Sequence, residues 1–153
     1  MPGRIVLDTN VLLLLLVGLV DRRLVPQHKR TRKYEPRDFD ALVQVVRTFA
    51  VVVVTPQILA ETSNLLKDGT TAESRHGARI TEVLKAAQEH YVPKDTMLES
   101  PHFLGMGATD VSIMELSRED DTVVLTDDLE LYGRLEKAKR NVVNFTHVIM
   151  SGL

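Results

Sequence analysis

Acidic residues from distant parts of the chain have the types and positions that could bind a metal ion. Asp8 interrupts the apolar run RIVLDTNVLLLLLVG, and Asp127 and Asp128 end the later run TVVLTDD. In an open α/β sheet, ligands bind beyond the carboxyl ends of the strands. If both runs are strands of one parallel sheet, we expect their acids to meet at the same edge of that sheet.

Two further acids lie on predicted helices. Glu61 borders the apolar stripe of a helix that begins at Pro56. Asp110 shares one helical face with the apolar residues Ile113 and Met114. An inward carboxylate costs free energy unless it is paired or bound to a metal. The sequence therefore predicts that these acids have a partner.

A divalent cation is the partner that the composition favours. Clustered carboxylates repel one another and raise each other's pKa values, and a cation removes that cost. The chain has no cysteine, and its five histidines are scattered. Oxygen ligands favour Mg²⁺ or Mn²⁺ over Zn²⁺. The predicted site consists of Asp8, Glu61, Asp110 and either Asp127 or Asp128, with Asn10 and Thr126 as supporting polar neighbours.

Each acid also has a structural interpretation. Asp8 and Asp128 are suited to cap the helices that follow them. Asp110 suits the positive end of a helix dipole, and Glu61 could extend into solvent. The joint pattern favours a metal site over these separate roles. A lysine ammonium among the acids, or a wide separation between them, would contradict that interpretation.

The strands and helices that must position these acids are predicted from β-branched apolar runs that alternate with helical segments. Runs that are apolar on both faces are typical of parallel strands covered by helices. They lie at 5–7, 51–54, 123–125 and 142–143. Helices are predicted at 11–20, 37–49, 56–68, 72–90, 108–119 and 128–140. We therefore expect an α/β fold with a parallel sheet, formed by a single domain over 1–153.

Composition limits the classes of function. A net charge of −2 argues against a chain that binds nucleic acid over its whole surface. The apolar run 11–20 is too short to span a membrane, which needs about 20 residues. Asp8 before that run, and no small-residue cleavage pair after it, argue against a signal peptide. The sequence thus predicts a cytoplasmic protein without a membrane segment. The apolar run is expected to be either a buried central helix or part of a dimer interface.

The segment 21–37 departs from this pattern because it is strongly basic. It holds seven Lys or Arg residues against two acids. We call it the basic loop and consider two interpretations, a solvated connector and a loop that contacts nucleic-acid phosphates. The candidates for those contacts are Arg30, Arg32 and Lys33.

Four short motifs together resemble the pattern of PIN-domain ribonucleases. They occur in the family's order over about residues 4 to 145: Leu7-Asp8-Thr9-Asn10, Leu59-Ala60-Glu61, Gly107-Ala108-Thr109-Asp110 and Thr126-Asp127-Asp128. The family's T-x-D spacing favours Asp128 as the fourth acid. Two features differ from the smallest members of the family, namely the longer basic loop and an acid where many members have asparagine.

The resemblance implies a three-layer α/β/α sandwich and an Mg²⁺- or Mn²⁺-dependent endoribonuclease. Asp8, Glu61, Asp110 and Asp128 would then be catalytic. Asp8 and Asp110 would be direct metal ligands, and the other two would bind a second metal or hold ligand waters. Cleavage would leave a 5′-phosphate and a 3′-hydroxyl. Many small members resemble VapC toxins, which implies RNA as substrate, an antitoxin protein as partner and a homodimer.

Other functions fit the motifs less well. A haloacid-dehalogenase-type phosphohydrolase needs a D-x-D motif, and Asn10 stands in place of its second acid. A receiver-like domain needs an aspartate at the end of a middle strand, where Thr55-Pro56 is found. A non-catalytic PIN-like module that binds RNA or protein is the remaining alternative. All four acid positions are filled, which favours an enzyme.

Overall fold

A five-stranded sheet is the centre of the computed structural model, which describes residues 3–67 and 75–152. All of its paired strands are parallel, in the order β3-β2-β1-β4-β5. The strands are β1 (Arg4–Leu7), β2 (Val51–Val54), β3 (Gln88–Glu89), β4 (Thr122–Thr126) and β5 (Val142–Asn144). The four predicted apolar runs are confirmed as strands. β3 was not predicted, because its two polar residues carry no apolar signal.

The register brings the ends of β1 and β4 together. Leu7 pairs with Leu125, and the backbone N–H of Asp8 donates to the Leu125 carbonyl at 3.1 Å. The chain order reverses on the two sides of β1, so the crevice between β1 and β4 is the topological switch point of the sheet. The acids that follow these two strands therefore lie where α/β proteins bind their ligands.

Helices cover the sheet and complete the three-layer α/β/α sandwich that the sequence predicted. The described helices are α1 (Thr9–Val20), α2 (Pro36–Val46), α3 (Pro56–Leu66), α4 (Arg75–Ala86), α5 (Lys94–Glu99), α6 (Phe103–Met106), α7 (Ala108–Leu116), α8 (Leu129–Lys137) and α9 (Phe145–Met150). α5, α6 and α9 were not predicted, because they are too short to show a helical period.

Several predicted helix ends were wrong. The helix predicted to run to residue 90 ends at Ala86, because residues 88 and 89 join the sheet as β3. The helices predicted to end at 49, 119 and 140 end three residues earlier, in turns. The predicted ends at 68 and 72 lie outside the described residues.

The apolar run near the start of the chain forms the central helix α1. Its side chains from Val11 to Val17 are all buried, and it packs against α2, α3 and α4. This explains why leucine or valine covers almost its whole circumference. Of the two interpretations of this run, the buried central helix is confirmed. In the part of the chain that the structure describes, no helix is long and apolar enough to span a bilayer.

The basic loop is a series of turns rather than a plain connector. A short 3₁₀ helix at Arg22–Leu24 opens it, and successive turns follow. Every third residue is buried, namely Val25, His28, Thr31 and Tyr34. Backbone hydrogen bonds from Thr31 to His28 (3.1 Å) and from Tyr34 to Thr31 (2.9 Å) join these positions. The loop therefore has a fixed inner face that ends at Tyr34.

Gly18 allows α1 to approach α2 closely. A Cβ atom at this position would lie 2.0 Å from the Phe39 ring. We expect Gly18→Ala to lower the free energy of unfolding by about 1–3 kcal/mol, because the core must shift to make room. Urea unfolding followed by circular dichroism measures the change.

Gly133→Ala is the matched control. Gly133 lies inside α8, and an added Cβ would have no heavy atom within 4 Å. Alanine should raise the free energy of unfolding here by about 0.5–1 kcal/mol, since it restricts the unfolded chain and favours helix. Equal effects of the two substitutions would contradict a close contact at Gly18.

Candidate functional site

Asp8 lies at the point where β1 ends and α1 begins. Its carboxylate accepts a hydrogen bond from the backbone N–H of Val11 at 3.1 Å, which caps the helix. The Thr126 hydroxyl donates to its other oxygen. The capping interpretation of Asp8 is thus confirmed, and it places the carboxylate in the crevice beside β4. Only 6% of the Asp8 surface is exposed at that position.

Burial changes the acidity of Asp8. Its pKa is raised to about 7, first by burial and then by the negative charge of Asp127. Hydrogen bonds from the Thr126 side chain and from the backbones of Val11 and Asp127 lower the pKa but do not offset burial. The ionised form of Asp8 is therefore costly in this position without a cation nearby.

Asp127 has two partners from the basic loop. Lys33 Nζ lies 2.8 Å from Asp127 Oδ2, and the Tyr34 hydroxyl donates to the same oxygen. Tyr34 packs edge-on against the buried ring of Phe145, with 6.0 Å between ring centroids. Burial, together with the charges of Asp127 and Asp8, raises the pKa of Tyr34. We call Asp8 and Asp127 the inner acids.

Lys33 is thus an ammonium among the candidate acids, the arrangement that was expected to contradict a metal site, and it contradicts Asp127 as a member of that site. It pairs with Asp127, whose side chain is only 7% exposed, and this favours Asp128 as the acid left for a cation. Of the other proposed phosphate-contacting residues, Arg32 is exposed and Arg30 is half-buried. Their contact with nucleic-acid phosphates stays a prediction.

Asp110, Glu61 and Asp128 form a second set, the outer acids. The pKa of Asp110 is raised to about 6 by burial, then by the charges of Asp128, Glu61 and Glu130. Within residues 3–67 and 75–152, no cationic side chain forms an ion pair with an outer acid, whereas Glu130 pairs with Arg134 at 3.2 Å. No cationic side chain of the described residues therefore offsets the repulsion at the half-buried Asp110, whereas Glu61 and Asp128 are exposed to solvent.

The helices that carry Glu61 and Asp110 are joined by a buried hydrogen bond. Thr55 caps α3 by accepting from the Ile58 N–H at 3.1 Å, and its hydroxyl lies 2.9 Å from that of Ser112 on α7. The sequence did not identify Ser112 as a residue that positions these helices. The signal that could have identified it is a small hydroxyl residue inside an otherwise apolar helical segment.

Thr126 links the two sets of acids. Its hydroxyl donates to Asp8 and accepts the backbone N–H of Asp128 at 2.9 Å. Asp128 caps α8 through Oδ1 alone, which accepts from Glu130 N (2.8 Å) and Leu131 N (3.0 Å). Among the described residues, Asp128 Oδ2 has no hydrogen-bond donor and remains available to a ligand.

The structure places Asp8 near Asp127, and Asp110 near Asp128 and Glu61, but it does not close these acids around an ion. Among the described residues, no three acids or histidines lie close enough together to form a ready metal site. The donor chemistry nevertheless fits a hard cation. The outer acids offer only oxygen, they repel one another, and Asp110 is partly buried. Asn10 lies exposed on α1, and its predicted supporting role is not tested.

The fold and the crevice define an α/β protein with a parallel sheet and acids at its switch point. The sequence matches no protein-family model and no curated protein. Among solved structures, the chain is similar to that described as the crystal structure of PAE2754 from Pyrobaculum aerophilum. The TM-score is 0.56 at 17% sequence identity, and the match covers 98% of this chain and 97% of that one. At this identity the likeness shows the fold alone.

The raised pKa of Asp8 predicts a pH-dependent stability. The folded protein keeps the Asp8 proton until about pH 7, whereas the unfolded chain releases it near pH 4. The free energy of unfolding should therefore fall as the pH rises from 4 to 7, by on the order of 3 kcal/mol from Asp8. Asp8→Asn should reduce this fall, as measured by urea unfolding in EDTA at several pH values.

Asp95→Asn is the control for this experiment. Asp95 is exposed and pairs with Lys94 at 3.4 Å. Its substitution should leave the slope of stability against pH close to that of the wild type. If Asp8→Asn and Asp95→Asn give the same slope, the buried acid does not titrate as described.

Proposed function

We propose that the protein is an Mg²⁺- or Mn²⁺-dependent endoribonuclease of the PIN type, which hydrolyses RNA phosphodiester bonds. The observation that carries this proposal is the uncompensated repulsion at Asp110, which lies with Asp128 and Glu61 at the switch point of a parallel sheet. A protein keeps acids in such an arrangement at a cost in stability, and binding a cation offsets that cost. RNA is proposed as the substrate because the four motifs resemble those of PIN-domain ribonucleases.

The acids of the crevice have separate roles in this proposal. Asp8 and Asp110 would be direct metal ligands, and Asp128 Oδ2 and Glu61 would complete the oxygen set or hold ligand waters. Hydrogen bonds from Thr126 and Val11 fix the orientation of the Asp8 carboxylate before any ligand arrives. When bound, the ion would lower the pKa of a coordinated water and stabilise negative charge at the phosphate.

The basic loop would hold the RNA backbone beside these acids. Lys33 lies at the edge of the crevice with 55% of its side chain exposed, and the exposed Arg32 precedes it. Cations at this edge attract the strand and reduce its repulsion from the acids. The loop thus explains how a chain with a net negative charge could bind a polyanion.

The VapC-type partners remain predictions. A homodimer and an antitoxin follow from the resemblance. The apolar run that raised the possibility of a dimer forms a buried helix, so it does not supply an interface. A cytoplasmic location likewise rests on the sequence alone.

Substitution of Asp110 gives the most direct test of nuclease function. Wild-type protein should cleave mixed RNAs with Mg²⁺ or Mn²⁺ and lose that activity in EDTA. Asp110→Asn should lower kcat by roughly 100-fold or more, since even the groups that support metal ligands are worth about 10–100-fold. The products, resolved on denaturing gels, should carry 5′-phosphates.

The adjacent acids provide a matched pair of variants. Asp128→Asn should lower activity more than Asp127→Asn, because Asp127 is already bound by Lys33 and Tyr34. Activity that survives Asp110→Asn, or that ignores EDTA, would rule out the proposed mechanism. Hydrolysis of a chromogenic phosphate monoester without RNA cleavage would instead favour the phosphohydrolase alternative.

A further inference from the structure

We propose that the Lys33 ammonium takes the place of a second divalent cation, so that the crevice binds one metal ion per chain. This inference rests on the proposed function, since it assumes that Asp8 and the outer acids bind the first ion. It goes beyond that function by saying which acid has its negative charge balanced by the chain itself. Asp127 is balanced by Lys33, whereas Asp8 and the outer acids require an ion from solution.

The contacts of Asp127 leave little room for a metal ion. A carboxylate oxygen has about two lone-pair positions. At Asp127 Oδ2, both are used by donors from the basic loop, namely Lys33 Nζ at 2.8 Å and the Tyr34 hydroxyl. An ion that approached this oxygen would have to displace an ammonium and a phenol. Among the described residues no donor reaches Asp127 Oδ1, so this carboxylate has one oxygen left for a single ion and is poorly suited to bridge two.

The position of Lys33 is fixed by its neighbours rather than by Asp127 alone. Tyr34 is 5% exposed and packs against Phe145, and Lys33 Nζ lies 5.1 Å from the centroid of the Tyr34 ring. The next residue, Glu35, belongs to the capping box of α2, in which its N–H donates to Asp38 at 2.9 Å. The backbone on both sides of Lys33 is thus held between a buried turn and a helix start, which places the lysine stem at the crevice and lowers the entropic cost of its ion pair.

The two sets of acids differ in the cations that the chain offers them. Asp127 has Lys33, and Asp8 lies beside Asp127. Asp110 feels the charges of Asp128 and Glu61, and in the described part of the chain neither of these is paired with a cation. Electrostatics therefore favours one ion shared by Asp8 and the outer acids, and disfavours a second doubly charged ion at Asp127 beside the Lys33 ammonium.

Counting bound Mn²⁺ tests this inference without relying on activity. Electron paramagnetic resonance of free Mn²⁺, with isothermal titration calorimetry, should give about one ion per wild-type chain. Lys33→Met removes the ammonium but keeps the apolar stem, and a second ion should then bind, for a total of about two. Adding Asp127→Asn to that variant should return the count to about one.

Lys29→Met is the matched control, because Lys29 is an exposed lysine of the same loop. Lys29→Met should bind the same number of Mn²⁺ ions per chain as the wild type. A wild-type count of about two, or an unchanged count and affinity in Lys33→Met, would overturn the inference while leaving a metal-dependent nuclease intact. If the wild type binds no Mn²⁺, both the inference and the proposed metal site fail. Circular dichroism checks that each variant is folded. If Lys33→Met is not folded, the number of Mn²⁺ ions bound by the wild type still decides between one ion and two.

Discussion

The carboxylate of Asp8, buried where the central strand meets the central helix, is the constraint on which the arrangement of the crevice depends. A carboxyl group at this depth must have hydrogen-bond partners, whichever protonation state it has. The chain supplies the Val11 N–H from the helix and the Thr126 hydroxyl from the neighbouring strand. Satisfying Asp8 therefore joins the ends of β1 and β4. The polar triplet Asp8-Thr9-Asn10 interrupts the apolar run because one acid both caps α1 and faces the crevice.

The same requirement divides the acids into two sets. Thr126 donates to Asp8 and accepts from the backbone of Asp128, so neighbouring residues of one strand end serve different partners. Asp127 turns toward the basic loop, where Lys33 and Tyr34 bind it. Asp128 lies with the acids of α3 and α7. The negative charge of Asp127 is thus balanced by Lys33, whereas the charges of the outer acids are left for a cation.

The sequence predicted the parts of this arrangement that depend on local pattern. The apolar runs identified four strands, and their ends placed Asp8 and Asp127 at one edge. β3 escaped prediction because its two residues, Gln88 and Glu89, are polar, and it forms only by pairing with β2. The helix α9 was not predicted either, because its six residues are too few to show a helical period. Tertiary pairing, rather than local preference, decides these elements.

The contact between Lys33 and Asp127 was beyond reach of the sequence for a different reason. The two residues are far apart along the chain, and their meeting depends on how the turns of the basic loop are buried. The spacing of Val25, His28, Thr31 and Tyr34 does carry a signal, since one residue in three faces inward. An interpretation of the loop as a charged connector misses Tyr34, which binds Asp127 beside Lys33.

The central claim is that the described residues give the outer acids no cationic partner, so that a divalent ion must balance their negative charge. Carbon-13 NMR titration of the Asp110 carboxyl tests this most directly. Without metal, we expect the carboxyl to titrate with a pKa of about 6. Saturating Mg²⁺ should move that titration to clearly lower pH, because the ion favours the ionised form and releases the proton. A titration of Asp110 that is the same with and without Mg²⁺ would contradict the account.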